Sequence, residues 1–177
     1  MRAVAAFQSE RAIRLIDDHP APSIGAADEV CLQVLEVGVC GTDREIARFD
    51  YGEPPPGSEY LVLGHESLAR VLSVGPAVTR VAPGDLVVPM VRRPCLDPTC
   101  RACRHGRQDF CFTGGFSERG IRREHGFLAE QVVERERYLH VLPPSLRSIG
   151  VLVEPLTIAE KALRQVWDVQ DRLPWTL

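Results

Sequence analysis

Apolar and polar residues alternate in short runs punctuated by glycine and proline along most of the chain. Glu29–Val39 carries valine and leucine in loose alternation and predicts a strand. Arg2–Phe7 and Ala12–Asp17 predict a hairpin around Gln8–Arg11. Leu68–Val74, Asp85–Met90, Leu128–Val133 and Tyr138–Leu142 predict further strands, with Gly75-Pro76 and Pro83-Gly84-Asp85 as turns between them. Many short strands with this punctuation predict a mainly β fold, a barrel or a sandwich.

Helical spacing is scarce. Thr42–Phe49 predicts a short helix, with Thr42 as N-cap and Glu45 completing a capping box. The tail differs. Pro155 suits a first helical turn, and Leu156, Ala159, Leu163, Val166 and Trp167 recur at helical spacing until Pro174.

The composition, 45% hydrophobic over 177 residues, supplies a real core and argues against disorder. No apolar run is long enough for a membrane span, and the N-terminus turns polar too soon for a signal peptide. A cytoplasmic chain with no membrane partner is therefore expected. The formal charge of -3 argues against bulk attraction to nucleic acid.

Six cysteines in such a chain point to metal before disulfides. Cys95, Cys100, Cys103 and Cys111 form C-x4-C-x2-C-x7-C, which suits a closed, structural zinc site. Two disulfides, an iron–sulfur cluster or free thiols are the competing readings, and His105 is a bystander in the same loop. Eight arginines lie near this loop: Arg92, Arg93, Arg101, Arg104, Arg107, Arg119, Arg122 and Arg123. Without interleaved aromatics for base stacking, a solvated or subunit-contacting face is favoured over a nucleic-acid surface. Cys31 is expected in the core, and His19, His125 and His140 as ordinary histidines.

Cys40, His65 and Glu154 each end an apolar segment beside a glycine or proline. If they converge, they give one thiolate, one imidazole and one carboxylate with an open fourth position, the pattern of catalytic zinc. Each signal alone is weak, since a lone histidine or cysteine is more often structural.

Together, Val37-Gly38-Val39-Cys40-Gly41-Thr42-Asp43, Gly64-His65-Glu66, the four-cysteine loop and Glu154-Pro155-Leu156 resemble the zinc-dependent medium-chain alcohol/polyol dehydrogenases. Gly41–Ile46, Leu63–Glu66, Val91-Arg92-Arg93 and Gly106–Cys111 are most similar to the glucose (aldose) dehydrogenase branch. The resemblance implies a GroES-like, partly open β-barrel. It implies Cys40, His65 and Glu154 as catalytic zinc ligands, with Glu66 as the adjacent or exchanging carboxylate. Thr42 would be the proton-relaying hydroxyl, and Cys95, Cys100, Cys103 and Cys111 the structural zinc ligands. Two positions depart from the branch. Val91 stands where an asparagine often contacts sugar, and Gly115 follows Thr113-Gly114 where an acidic residue is common.

The expected organisation is a catalytic domain over residues 1–155, with a zinc lobe at 92–125. A helix at 156–177 would lead to a dinucleotide-binding domain not included in this chain. No G-x-G-x-x-G turn follows a strand, so tight NAD(P) binding by these residues alone is not expected. The expected partners are an alcohol or sugar and, as a candidate, a second copy of the chain. The leading function is the catalytic part of a zinc- and NAD(P)-dependent oxidoreductase. The alternative is a non-catalytic zinc-binding or interaction module.

Overall fold

Branched apolar residues with polar neighbours form short strands along this chain, and among the described residues it has three α-helices and four 3-10 turns. The computed structural model describes residues 1–175. In chain order its elements begin with β1 (Ala3–Phe7), β2 (Ala12–Ile16), β3 (Glu29–Gly38) and α1 (Gly41–Ala47). Next come β4 (Leu61–Val62), β5 (Glu66–Val74), β6 (Leu86–Pro89), β7 (Arg92–Arg93) and α2 (Arg101–Arg104). The last are β8 (Ser117–Arg119), β9 (Arg123–Glu124), β10 (Gln131–Arg135), β11 (Leu139–Leu142) and α3 (Val153–Gln170).

A five-stranded sheet in the order β10-β3-β5-β6-β11 is the frame. A smaller sheet, β2-β1-β4, faces it, and β7-β8-β9 belongs to a lobe that carries the four-cysteine loop. The sheets do not close on one another, so the barrel is partly open, the architecture that the resemblance implies. The main core cluster, Val30, Leu32, Ala69, Val71, Val87, Phe127 and Val132, packs on the five-stranded sheet, and a second, Ala6, Ile46, Leu61, Leu63 and Ile121, joins the small sheet to α1. Fully burying a side chain such as Leu32 or Phe127 stabilises the fold by about 1.5–3 kcal/mol. Two bulges in β3, after Cys31 and after Val34, shift its register against β5 and turn its C-terminal end toward α1.

Four local expectations are corrected. The N-cap of α1 is Cys40, not Thr42, and the reciprocal partner is Asp43, not Glu45. The cap moves because the Cys40 sulfur accepts the Thr42 N–H while the Asp43 carboxylate accepts the Cys40 N–H. The strand expected at 128–133 lies at Gln131–Arg135, where β3 offers its edge; Leu128 instead bonds across to Val4 and Leu63. The tail helix begins at Val153 and ends at Gln170, before Pro174. Cys31 is half-buried opposite Ser73 rather than in the core.

His125 is more deeply engaged than an ordinary histidine. Its Nδ1 accepts the Val62 N–H at 3.1 Å, and its ring stacks on Tyr60 and meets His19 edge-on. Burial, then the fields of His19 and Arg119, push its pKa down from 6.5 to about 4. Above the ordinary value both folded and unfolded chains carry neutral His125, and it contributes no pH dependence. Between that value and about 4 the unfolded chain takes up a proton that the folded chain refuses, so acidification destabilises. After discounting for partial exposure, the loss should be about 1–2 kcal/mol. Thermal melts of wild type and His125→Gln across this range should show a shallower acid decline in the variant; parallel declines would refute it.

Candidate metal and substrate site

α1 starts where β3 ends, and β5 starts immediately after the Leu63-Gly64 turn, so both junctions open on the same end of the barrel. There the Cys40 sulfur lies 3.1 Å from His65 Nε2. His65 is only 5% exposed. Its other nitrogen, Nδ1, faces Asp43 Oδ1 at 3.5 Å, longer than a hydrogen bond, and neither atom has another partner. The ligand atoms of Cys40, Asp43 and His65 all lie within 4.8 Å of one another.

Burial alone would lower the His65 pKa, but the buried Asp43 carboxylate and the Cys40 sulfur raise it to about 9. Burial also works against the ionised Asp43 carboxyl, yet His65 and the Cys40 N–H outweigh it and hold that pKa below the usual carboxylate range. Asp43 joins Cys40 and His65 in one group of potential ligand atoms, a placement that the sequence reading did not anticipate. Its signal was an acidic residue three positions after a potential N-cap. Holding the far nitrogen of a ligating imidazole is the usual work of such a carboxylate.

Glu154 sits in the first turn of α3 and lines the same cleft as Cys40, His65, Thr42 and Glu66. It is not part of the 4.8 Å group. Burial pushes its pKa up and the Glu66 charge adds to this, while His65 opposes it. The structure thus joins Cys40 to His65 and puts Glu154 on the facing wall. The cleft has a volume of about 920 Å³. Met90, Val91 and Phe110 form apolar parts of its wall, and His140 borders it. Its far side is tied down by Lys161 of α3, which pairs with Asp109 of the lobe at 3.2 Å.

In the lobe, Cys100 is the N-cap of α2 and Cys103 lies within its single turn. The sulfurs of Cys95, Cys100, Cys103 and Cys111 all lie within 4.8 Å of one another. Cys100 and Cys111 are 3.9 Å apart, far beyond a disulfide bond and close to the roughly 3.8 Å edge of a tetrahedron with 2.3 Å metal–sulfur bonds. So tight a group leaves no room for a multi-iron cluster between the sulfurs. The Thr113 hydroxyl beside Cys111 lowers its thiol pKa, and burial raises that of Cys103. His105 turns away to the Arg101 carbonyl. The donor set therefore fits one tetrahedral soft-ligand ion.

Five of the eight neighbouring arginines pair with carboxylates of the protein, while Arg101, Arg104 and Arg107 are exposed. Arg92 pairs with Glu118, Arg93 and Arg119 with Glu134, and Arg122 and Arg123 with Glu53. Arg92 and Arg122 both stack on Phe116. Among the described residues, no helix is long and apolar enough to cross a membrane.

A partly open barrel with a Cys–His pair at its mouth and a four-sulfur lobe beside it is a GroES-like domain with two groups that could hold a metal ion. The alcohol dehydrogenase GroES-like domain family matches residues 26–144, and the chain belongs to it. It is 44% identical to the glucose 1-dehydrogenase of Methanocella arvoryzae, over 99% of this chain and 48% of that protein. The structure of Haloferax mediterranei glucose dehydrogenase in complex with NADP, Zn and gluconolactone superposes with a TM-score of 0.87 at 35% identity. That match covers 99% of this chain and 48% of the other. Galactitol-1-phosphate dehydrogenase from Escherichia coli matches with a TM-score of 0.75 at 26% identity, over 89% of this chain and 43% of that one. The chain spans about half the length of the curated relatives it matches.

Proposed function

We propose that this chain is the metal-bearing part of a zinc- and NAD(P)-dependent dehydrogenase that oxidises a hydroxyl of a sugar or polyol. The observation that carries the reading is the 3.1 Å approach of the Cys40 sulfur to His65 Nε2 at the floor of a cleft that Glu154 also lines. Cys40, His65 and Glu154 would hold a catalytic zinc, and the four lobe cysteines a structural one. When bound, the catalytic zinc supplies Lewis acidity that makes a substrate hydroxyl easier to deprotonate, and NAD(P) accepts the hydride.

The chain's own residues do the rest. The Asp43 carboxylate faces Nδ1 of His65 at 3.5 Å, so its charge favours a proton on that nitrogen and leaves Nε2 toward Cys40 and the cleft. Thr42 has no useful pKa, so its hydroxyl relays the substrate proton to solvent rather than keeping it. Glu66 lines the same cleft as Glu154 and would be the second carboxylate available to a zinc held there. The cofactor would be held by a dinucleotide-binding domain, corresponding to the part of the relatives that this chain does not span. The Haloferax enzyme's bound NADP, Zn and gluconolactone support this assignment.

The test is His65→Ala. Wild type should carry two zinc ions per chain and the variant one, with the lobe intact. Sugar-dependent reduction of NAD(P), measured with the cofactor domain joined, should fall by roughly 10³-fold, the worth of several kcal/mol of Lewis-acid assistance. Unchanged zinc content would overturn the assignment.

A further inference from the structure

The peptide that precedes His65 is gripped from two sides by backbone. On the barrel side, the Phe127 N–H donates to the Gly64 carbonyl at 2.9 Å, and the Leu128 N–H to the Leu63 carbonyl at 2.8 Å. On the lobe side stands Gly120, in the turn between β8 and β9. A Cβ on Gly120 would lie 2.2 Å from the Gly64 oxygen and 2.7 Å from its carbonyl carbon. Backbone atoms cannot rotate out of such a clash, so relief requires moving the turn or the Leu63-Gly64-His65 peptide by about 1 Å. The turn is itself held. The Glu53 N–H donates to the Ile121 carbonyl, the Arg123 N–H donates to the Glu53 carbonyl, and Arg122 and Arg123 pair with the Glu53 carboxylate.

From this geometry we infer that Gly120 is a positioning residue for the metal ligand His65. It lets the four-cysteine lobe close directly on the Gly64 carbonyl, and so sets where the imidazole stands relative to Cys40. The lobe then acts on the cleft through one backbone contact. The order of its turn is read at a ligand one residue ahead of β5, outside the lobe's own sheet. The inference rests on the reading of Cys40 and His65 as metal ligands.

The test is Gly120→Ala, compared with Gly84→Ala. Both glycines have positive φ, +71° and +100°, so both substitutions carry backbone strain. A Cβ at Gly84 meets nothing within 4 Å. The strain is therefore shared, while the contact with Gly64 is confined to Gly120. Zinc affinity of each site is measured by competition with a chromophoric chelator, and amide exchange is followed at Phe127. Gly120→Ala should weaken the Cys40–His65 site by about 10–100-fold, leave the four-cysteine site unchanged and speed exchange at Phe127. Gly84→Ala should do none of these.

Glu53→Gln loosens the same turn through an exposed ion pair and leaves the core untouched. It should weaken the Cys40–His65 site by roughly two- to fivefold. It decides the matter should Gly120→Ala not fold: an unchanged affinity in Glu53→Gln would then overturn the positioning role. Two zinc ions in wild type with equal affinities in Gly120→Ala and Gly84→Ala would overturn that role alone. A single zinc per wild-type chain would sink the metal assignment of Cys40 and His65, and this inference with it.

Discussion

Replacing Cys103 by serine should strip one zinc ion from the chain and unfold the lobe around residues 92–125. The reason is the poverty of the lobe's own core. Its buried cluster consists of Cys95, Cys100 and Cys103, with only Ala102 and Cys111 packed against it. Among its larger apolar residues, Leu96, Phe110 and Phe112 lie 98%, 54% and 65% exposed, and the buried Ile121 packs with Ala6 and Leu61 of the barrel instead of with the cysteines. A segment that buries so little apolar surface cannot offset its conformational entropy, so metal binding must order it. Losing the fourth thiolate should cost the lobe roughly 4 kcal/mol or more. Metal analysis should show zinc content falling by one per chain. Limited proteolysis should cut first inside the lobe, while the Phe127 core persists. Unchanged zinc content together with unchanged protease resistance would defeat the prediction.

Glu134→Ala should be the most damaging change outside the metal sites. Glu134 is 4% exposed and Arg93 5%. The Glu134 carboxylate receives the Arg93 guanidinium directly and Arg119 Nε at 3.1 Å. Arg119 also donates to the carbonyls of His125 and Val133, and Arg93 stacks on Tyr138. Removing the carboxylate leaves Arg93 buried beside no anion, and Arg119 with only Glu124. Breaking a buried pair from one side costs about 3–5 kcal/mol. For a chain of this size that is a fall of roughly 10 °C in Tm. Glu10→Ala is the contrast. The Arg14–Glu10 pair is half-exposed on both sides, and its loss should stay within about 0.5 kcal/mol. Similar melting shifts for the two variants would show that burial is not what gives the Glu134 network its weight.

The frame of the fold was legible because β3, β5, β6 and β11 carry branched apolar residues between clear turn residues. The register of β10 was not, because Leu128 is apolar enough for a strand, yet its amide is taken by the Leu63 carbonyl. The four-cysteine site was legible from spacing, since its ligands lie within one loop. Cys40 and His65 are 25 residues apart; their places at the ends of apolar segments suggested the pair only weakly, and the family resemblance strengthened it. Asp43 was hidden because the cap was read two residues late, on Thr42 and Glu45 instead of Cys40 and Asp43. The Arg93–Glu134–Arg119 network was hidden more deeply. Charged residues look exposed in a sequence, and their burial follows from the docking of the lobe on the barrel.

The order β10-β3-β5-β6-β11 also has a consequence in time. β3, at Glu29–Gly38, can pair with β5 soon after both are synthesised. Its other edge waits for β10, at Gln131–Arg135. At about 5–20 residues per second on the ribosome, that edge stays open for roughly 5–20 s, with Cys31 on the same unpaired strand. The nascent chain therefore passes through a stage in which its longest strand offers free N–H and C=O groups to any neighbour. For this protein, yield should depend on how quickly chaperones cover that one edge, more than on the stability of the finished barrel.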